Sequence, residues 1–129
     1  MTRVLRRVLL VLLAVVFVTA GVTHFTRPAF FVNIVPPFLP WPLGLVWLSG
    51  AAEIALGLAV LVPSLRSLAG WGLVALLVAV FPANVYQAVV VKPFVDAPSW
   101  MPPATPLGLW LRLPVQGVLI AWAWWATRP

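Results

Sequence analysis

The chain has 129 residues, of which 64% are hydrophobic and only 8% charged, and its mean hydropathy is +1.10. A water-soluble domain of this size cannot hide so much apolar surface, which excludes an ordinary globular fold and leaves one membrane-embedded domain over residues 1–129. The net charge of +6 does not make a nucleic-acid surface, because the eight basic residues stand singly or at the ends of apolar runs.

Two chemistries drop out at once. With no cysteine there is no thiolate nucleophile, disulfide exchange or thiolate metal site. One histidine and two acidic residues are too few for a metal centre built by the protein alone.

Arg3, Arg6 and Arg7 open the first apolar run, residues 8–23, which ends at His24. It is short of the ~20 residues a bilayer needs, but arginines at its start can snorkel to the interface. Three further runs follow it, so it reads as an uncleaved first helix rather than a signal peptide. The second run, 43–62, contains Ser49 and Glu53. A tight turn at 63–67 leads to the third, 68–91, with Pro82, Asn84 and Gln87 inside it. The fourth, about 107–127, carries Arg112, Pro114 and Gln116. The pattern predicts an all-α, four-transmembrane-helix bundle whose third and fourth helices are kinked at their prolines.

Charge placement predicts orientation. With the N-terminus in the cytoplasm, Arg3, Arg6, Arg7, Arg66 and Arg128 all lie inside and only Arg27 and Lys92 outside, as the positive-inside rule requires. Both termini are then cytoplasmic, in a bacterial plasma (inner) membrane. Trp41, Trp47, Trp100 and Trp110 mark the outer interface, and Trp71, Trp122, Trp124 and Trp125 the inner one. The outer loops, 26–42 and 92–106, hold ten of the fourteen prolines among many aromatic residues. They read either as caps folded onto the bundle or as lipid-facing anchors.

A shift of 63 residues aligns the two halves without a gap. Phe31-Val32 meets Phe94-Val95, Trp47-Leu48 meets Trp110-Leu111, His24 meets Gln87 and Glu53 meets Gln116. Both halves enter from the same side, so this is a parallel repeat about an axis along the membrane normal.

Each run contributes polar residues to the outer half of the layer: His24, Glu53, Asn84 with Gln87, and Arg112 with Gln116. Ionisable groups in a span cost ~2.5–3.5 kcal/mol each on insertion scales, so they face inward and pair. Glu53 and Arg112 are the opposite charges well inside spans, and they are expected to pair across the second and fourth helices. His24, Asn84 and Gln116 are expected to complete the network. Two readings stand: a structural ion pair that fixes helix order, or a pocket open to the outer leaflet in which His24, Glu53, Asn84, Arg112 and Gln116 bind a small amphipathic molecule.

The run Gly21-Val22-Thr23-His24-Phe25, then Pro28, Phe31 and Ile34-Val35-Pro36-Pro37, resembles the DoxX family of small bacterial membrane proteins. So do Ser49-Gly50-Ala51-Ala52-Glu53 with Gly57-Leu58, Phe81-Pro82-Ala83-Asn84 and Arg112-Leu113-Pro114-Val115-Gln116. The resemblance implies a four-helix bundle and an accessory role beside a redox enzyme, with a quinone as bound molecule and no other cofactor. The cysteines of some redox-linked relatives are missing, which argues against a thiol role. A partner redox or membrane protein would carry the electrons. The alternative is a non-enzymatic assembly factor, or a small-molecule binder or transporter, working as a homo-oligomer. A stand-alone enzyme is disfavoured, since no nucleophile–base pair or paired carboxylates can be found.

Overall fold

The structure, a computed structural model, describes residues 2–129. It contains five helices: α1 (Arg3–Thr26), α2 (Pro28–Val32), α3 (Pro42–Ala59), α4 (Arg66–Val90) and α5 (Pro106–Thr127). Four of them, all but α2, are long and apolar enough to cross a membrane. The chain is thus a multi-pass, all-α membrane bundle, as its composition predicts.

Local chemistry fixes the helix ends. Thr2 caps α1, accepting a hydrogen bond from the Leu5 N–H, so the arginine-bearing segment is the first helical turn rather than a tail before it. Pro28, Pro42 and Pro106 each open a helix, where the missing N–H costs nothing. The α4 helix ends at Val91, in the left-handed region at φ 53°, and the Gln87 carbonyl accepts from both the Val91 and Lys92 N–H groups. Both α4 and α5 stay helical through Pro82 and Pro114.

The long helices form a ring in the order α1, α3, α4, α5, so that α1 stands opposite α4 and α3 opposite α5. The closest packing is within the two hairpins, α1 with α3 and α4 with α5. Neighbours run antiparallel. Gly21 lies against Gly50 and Gly57 against Phe17, while Gly70 meets Thr127 and Gln116 meets Leu77. The ring has the form that the 63-residue repeat predicts, and α1 and α4 begin 63 residues apart.

The long helices bury one face, which on α1 and α3 is a stripe at three- and four-residue steps. On α1 it is Leu10, Leu13, Phe17, Gly21 and His24; on α3 it is Val46, Gly50, Glu53 and Gly57. The buried faces change character along the bundle. The half near the chain termini is filled by an apolar core of Leu13, Ala14, Phe17, Val60, Ala69, Leu73, Leu77 and Ala123. In the half nearer the two long loops, the same faces carry His24, Glu53, Gln87 and Gln116, all buried.

The loops divide their roles. The α2 helix packs on α1 and α3, Ile34 is buried, and Asn33 Nδ2 donates to the Pro93 carbonyl at 2.9 Å. Arg27 reaches the Asp96 carbonyl at 2.9 Å and its carboxylate at 3.5 Å, tying one loop to the other. These stretches cap the bundle. Phe38, Trp41 and Trp100, by contrast, are all more than 70% exposed and stand where lipid or a partner would meet them.

Candidate functional site

The polar half of the bundle splits into two clusters, one in each hairpin. In the first, α1 presents His24 and α3 presents Glu53. The α1–α3 crossing is glycine-built: a Cβ on Gly50 would lie 2.6 Å from His24 Cβ and 3.0 Å from the Gly21 carbonyl oxygen. This contact holds His24 one turn from Glu53. His24 Nδ1 lies 2.7 Å from the Ala20 carbonyl oxygen, and because a carbonyl only accepts, Nδ1 carries the proton. Glu53 Oε2 approaches the same Nδ1 to 3.5 Å but receives no hydrogen bond from it. Glu53 is only 7% exposed, so a buried carboxyl oxygen is left without a donor. The His24 ring is stacked on Phe31 at 3.7 Å between centroids, fixed by α2.

The second cluster holds two hydrogen-bonded pairs, each joining α4 to α5. Arg112 Nη1 donates to Gln87 Oε1 at 2.7 Å, and Gln87 Nε2 donates to the Lys92 carbonyl at 3.4 Å. Asn84 Nδ2 donates to Gln116 Oε1, and Gln116 Nε2 to the Leu77 carbonyl, both at 2.6 Å. That carbonyl sits in the turn beside the one that Pro82 deprives of its helical donor. Phe94 covers one face of the Arg112 guanidinium at 5.8 Å. A row of aromatic rings links the clusters, from Phe31 to Phe30 at 5.1 Å and from Phe30 to Phe94 at 5.5 Å.

The expected Glu53–Arg112 pair does not form. The two residues sit on α3 and α5, which face each other across the ring, and Arg112 takes a neutral amide on the adjacent helix instead. Asn84 and Gln116 likewise bond to each other and to backbone rather than to an ion pair. Of the five residues expected to share one pocket, the structure bonds Asn84 to Gln116 and sets His24 beside Glu53, while Arg112 bonds to Gln87 and to none of the other four. None of the five lines the surface groove between Pro36 and Val89 or the one between Ser67 and Thr127. Gln87, 2% exposed and central to the second cluster, was not among the expected ligands. Its signals were its place one turn beyond Asn84 and its alignment with His24 in the repeat. Among the described residues no three His, Asp or Glu side chains come together as metal ligands.

The corrected pairing has a measurable consequence. Glu53→Gln and Arg112→Gln are expected to change unfolding free energy independently, adding within ~0.3–0.5 kcal/mol in the double variant. A coupling above 1 kcal/mol, measured by reversible unfolding in detergent, would mean that the two side chains interact after all.

Residues 13–127 match a family described as a domain of unknown function, DUF8561. The chain belongs to that family. The match runs from the first span to the end of the last and includes all five candidate residues with Gln87. No curated protein and no solved structure matches the sequence.

Proposed function

We propose that this chain is a DoxX-type accessory subunit of the bacterial plasma membrane, both termini in the cytoplasm, that holds a quinone-like amphipathic molecule by its polar head in the outer half of the bundle. The observation that carries this reading is Glu53 Oε2, buried at the α1–α3 crossing beside His24 and without a donor. A buried polar atom left unsatisfied costs ~1–3 kcal/mol, so the position is better explained by a hydroxyl or N–H that arrives with a ligand than by stability. Arg112 supports the same reading from the other hairpin: among the described residues only one of its five N–H groups has a protein acceptor. A quinol head donates through its hydroxyls, and a quinone head accepts through its oxygens, matching these two needs.

The five arginines near the termini and the tight turn support the orientation, which puts His24 and Glu53 on the outer side. The chain supplies no redox group of its own, and electrons would come from a partner. A second reading is favoured by the hydrogen bonds that join Asn84 to Gln116 and Arg112 to Gln87 across the two helices: an assembly factor in which these pairs simply clamp α4 to α5, with the exposed Phe38, Trp41 and Trp100 meeting a partner protein.

The test is native mass spectrometry in mild detergent with added short-chain ubiquinone and menaquinone. Wild type is expected to retain one of them and Glu53→Gln to lose it. Retention of neither by a folded wild type, or equal retention by both proteins, would reject the ligand site and leave the structural clamp.

A further inference from the structure

The exposed face of α4 near the loops carries a feature separate from the polar clusters. A groove of about 420 Å³ runs along it, walled by Phe81, Val85, Tyr86 and Val89 on the helix and by Pro36 and Phe38 of the first loop. Its lining side chains are apolar apart from the Tyr86 hydroxyl. Phe81, Val85 and Val89 lie at four-residue steps with Tyr86 beside them, so they form one stripe, and Lys92 follows two residues after the helix ends. The Lys92 ammonium stands 5.6 Å from the centroid of the Tyr86 ring, so cation and groove share a wall. No carboxylate neutralises it. The chain has two acidic side chains, and among the described contacts Glu53 sits beside His24 and Asp96 beside Arg27.

The dimensions match one class of molecule. From Phe81 to Val90, where α4 ends, the helix rises ~14 Å at 1.5 Å per residue, and Lys92 follows two residues beyond. Half of a hydrocarbon core of ~30 Å is ~15 Å, so the groove is one leaflet deep and the ammonium lies at headgroup level. We propose that this groove is a binding site for an anionic phospholipid, one acyl chain lying against Val85 and Val89 and the headgroup phosphate at Lys92. Charge complementarity selects the occupant: a neutral lipid fills the groove equally well but leaves the Lys92 ammonium beside the groove without a counter-ion. The site needs no assumption about orientation, since it belongs to whichever leaflet Lys92 faces. It is also independent of the quinone reading, because Glu53 and Arg112 take no part in it.

The experiment is a native mass-spectrometric titration of the detergent-solubilised chain with phosphatidylglycerol and, separately, phosphatidylcholine of the same acyl chains. Wild type is expected to bind one phosphatidylglycerol in preference to phosphatidylcholine. Lys92→Gln should lower that preference about fivefold, the weight of one interfacial cation on an anionic lipid. Val89→Trp, which fills the groove, should weaken both lipids alike. Arg3→Gln, an exposed charge at the opposite end, should change nothing. Equal binding of the two lipids by wild type overturns the proposal, as does an unaltered preference in Lys92→Gln. A loss in Arg3→Gln as large as that in Lys92→Gln also overturns it, since diffuse net charge would then explain the selectivity. Should Val89→Trp fail to fold, the Lys92→Gln and Arg3→Gln pair still decides.

Discussion

Gly50→Val is expected to lower the unfolding free energy of the bundle by ~1–3 kcal/mol and to shift His24 off the Phe31 ring. Helices in lipid gain nothing from burying apolar surface against each other, so their association rests on close backbone approach and a few polar contacts. The α1–α3 crossing is the closest approach described on the polar side of the molecule. A Cβ at Gly21 would come within 2.6 Å of the Gly50 carbonyl oxygen, and one at Gly50 within 2.6 Å of His24 Cβ. Neither obstacle is the free end of a flexible side chain, so the helices themselves must separate. That motion carries His24 with it, because its Nδ1 is tied to Ala20 on the same helix. Reversible unfolding in mixed micelles measures the loss. Ala51→Val, one residue along on the exposed face, serves as the control and is expected to stay within ~0.5 kcal/mol of wild type. Equal stability of Gly50→Val and the control would mean that backbone contact does not hold this crossing.

The same crossing shows what the sequence could and could not disclose. The spans were legible because a bilayer demands ~20 apolar residues whatever the neighbours are. The polar zone was legible because His24, Glu53, Asn84, Arg112 and Gln116 are too costly to face lipid, so each had to point inward. Which helix each would meet was not legible. Opposite charge suggested Glu53 with Arg112, but charge carries no information on ring order. The ring is set by small residues, above all Gly21 against Gly50 and Gly70 against Thr127, which bring α3 beside α1 and α5 beside α4. Once α3 and α5 stand opposite each other, the nearest acceptor for Arg112 is the neutral amide of Gln87. The α2 helix also escaped notice, although Pro28 opens it in the manner of the longer helices. Five residues are too few to show a period, and only the position of Phe31 over His24 gives them a purpose.

The largest departure from ordinary expectation concerns Glu53. Removing a buried carboxylate from a protein usually destabilises it, because a partner is left stranded. Here no partner would be stranded: the His24 Nδ1 proton goes to Ala20, and Arg112 is held by Gln87 on another helix. What disappears in Glu53→Leu is an oxygen that no donor reaches, along with the cost of carrying a carboxyl group into the span. Replacing a buried, unsatisfied polar group with an apolar one of similar shape relieves ~1–3 kcal/mol, and Glu53→Leu is expected to gain that much in ligand-free protein. The thermal midpoint in detergent should rise accordingly. Added short-chain quinone should raise the midpoint of wild type but not of the variant, since a ligand stabilises only the protein that binds it. Greater stability together with a lost ligand response would mark Glu53 as a residue kept for binding at the expense of the fold. A less stable variant would instead show that Glu53 contributes to packing through an interaction other than the hydrogen bonds and ion pairs described above, and the case for a ligand at the α1–α3 crossing would fall with it.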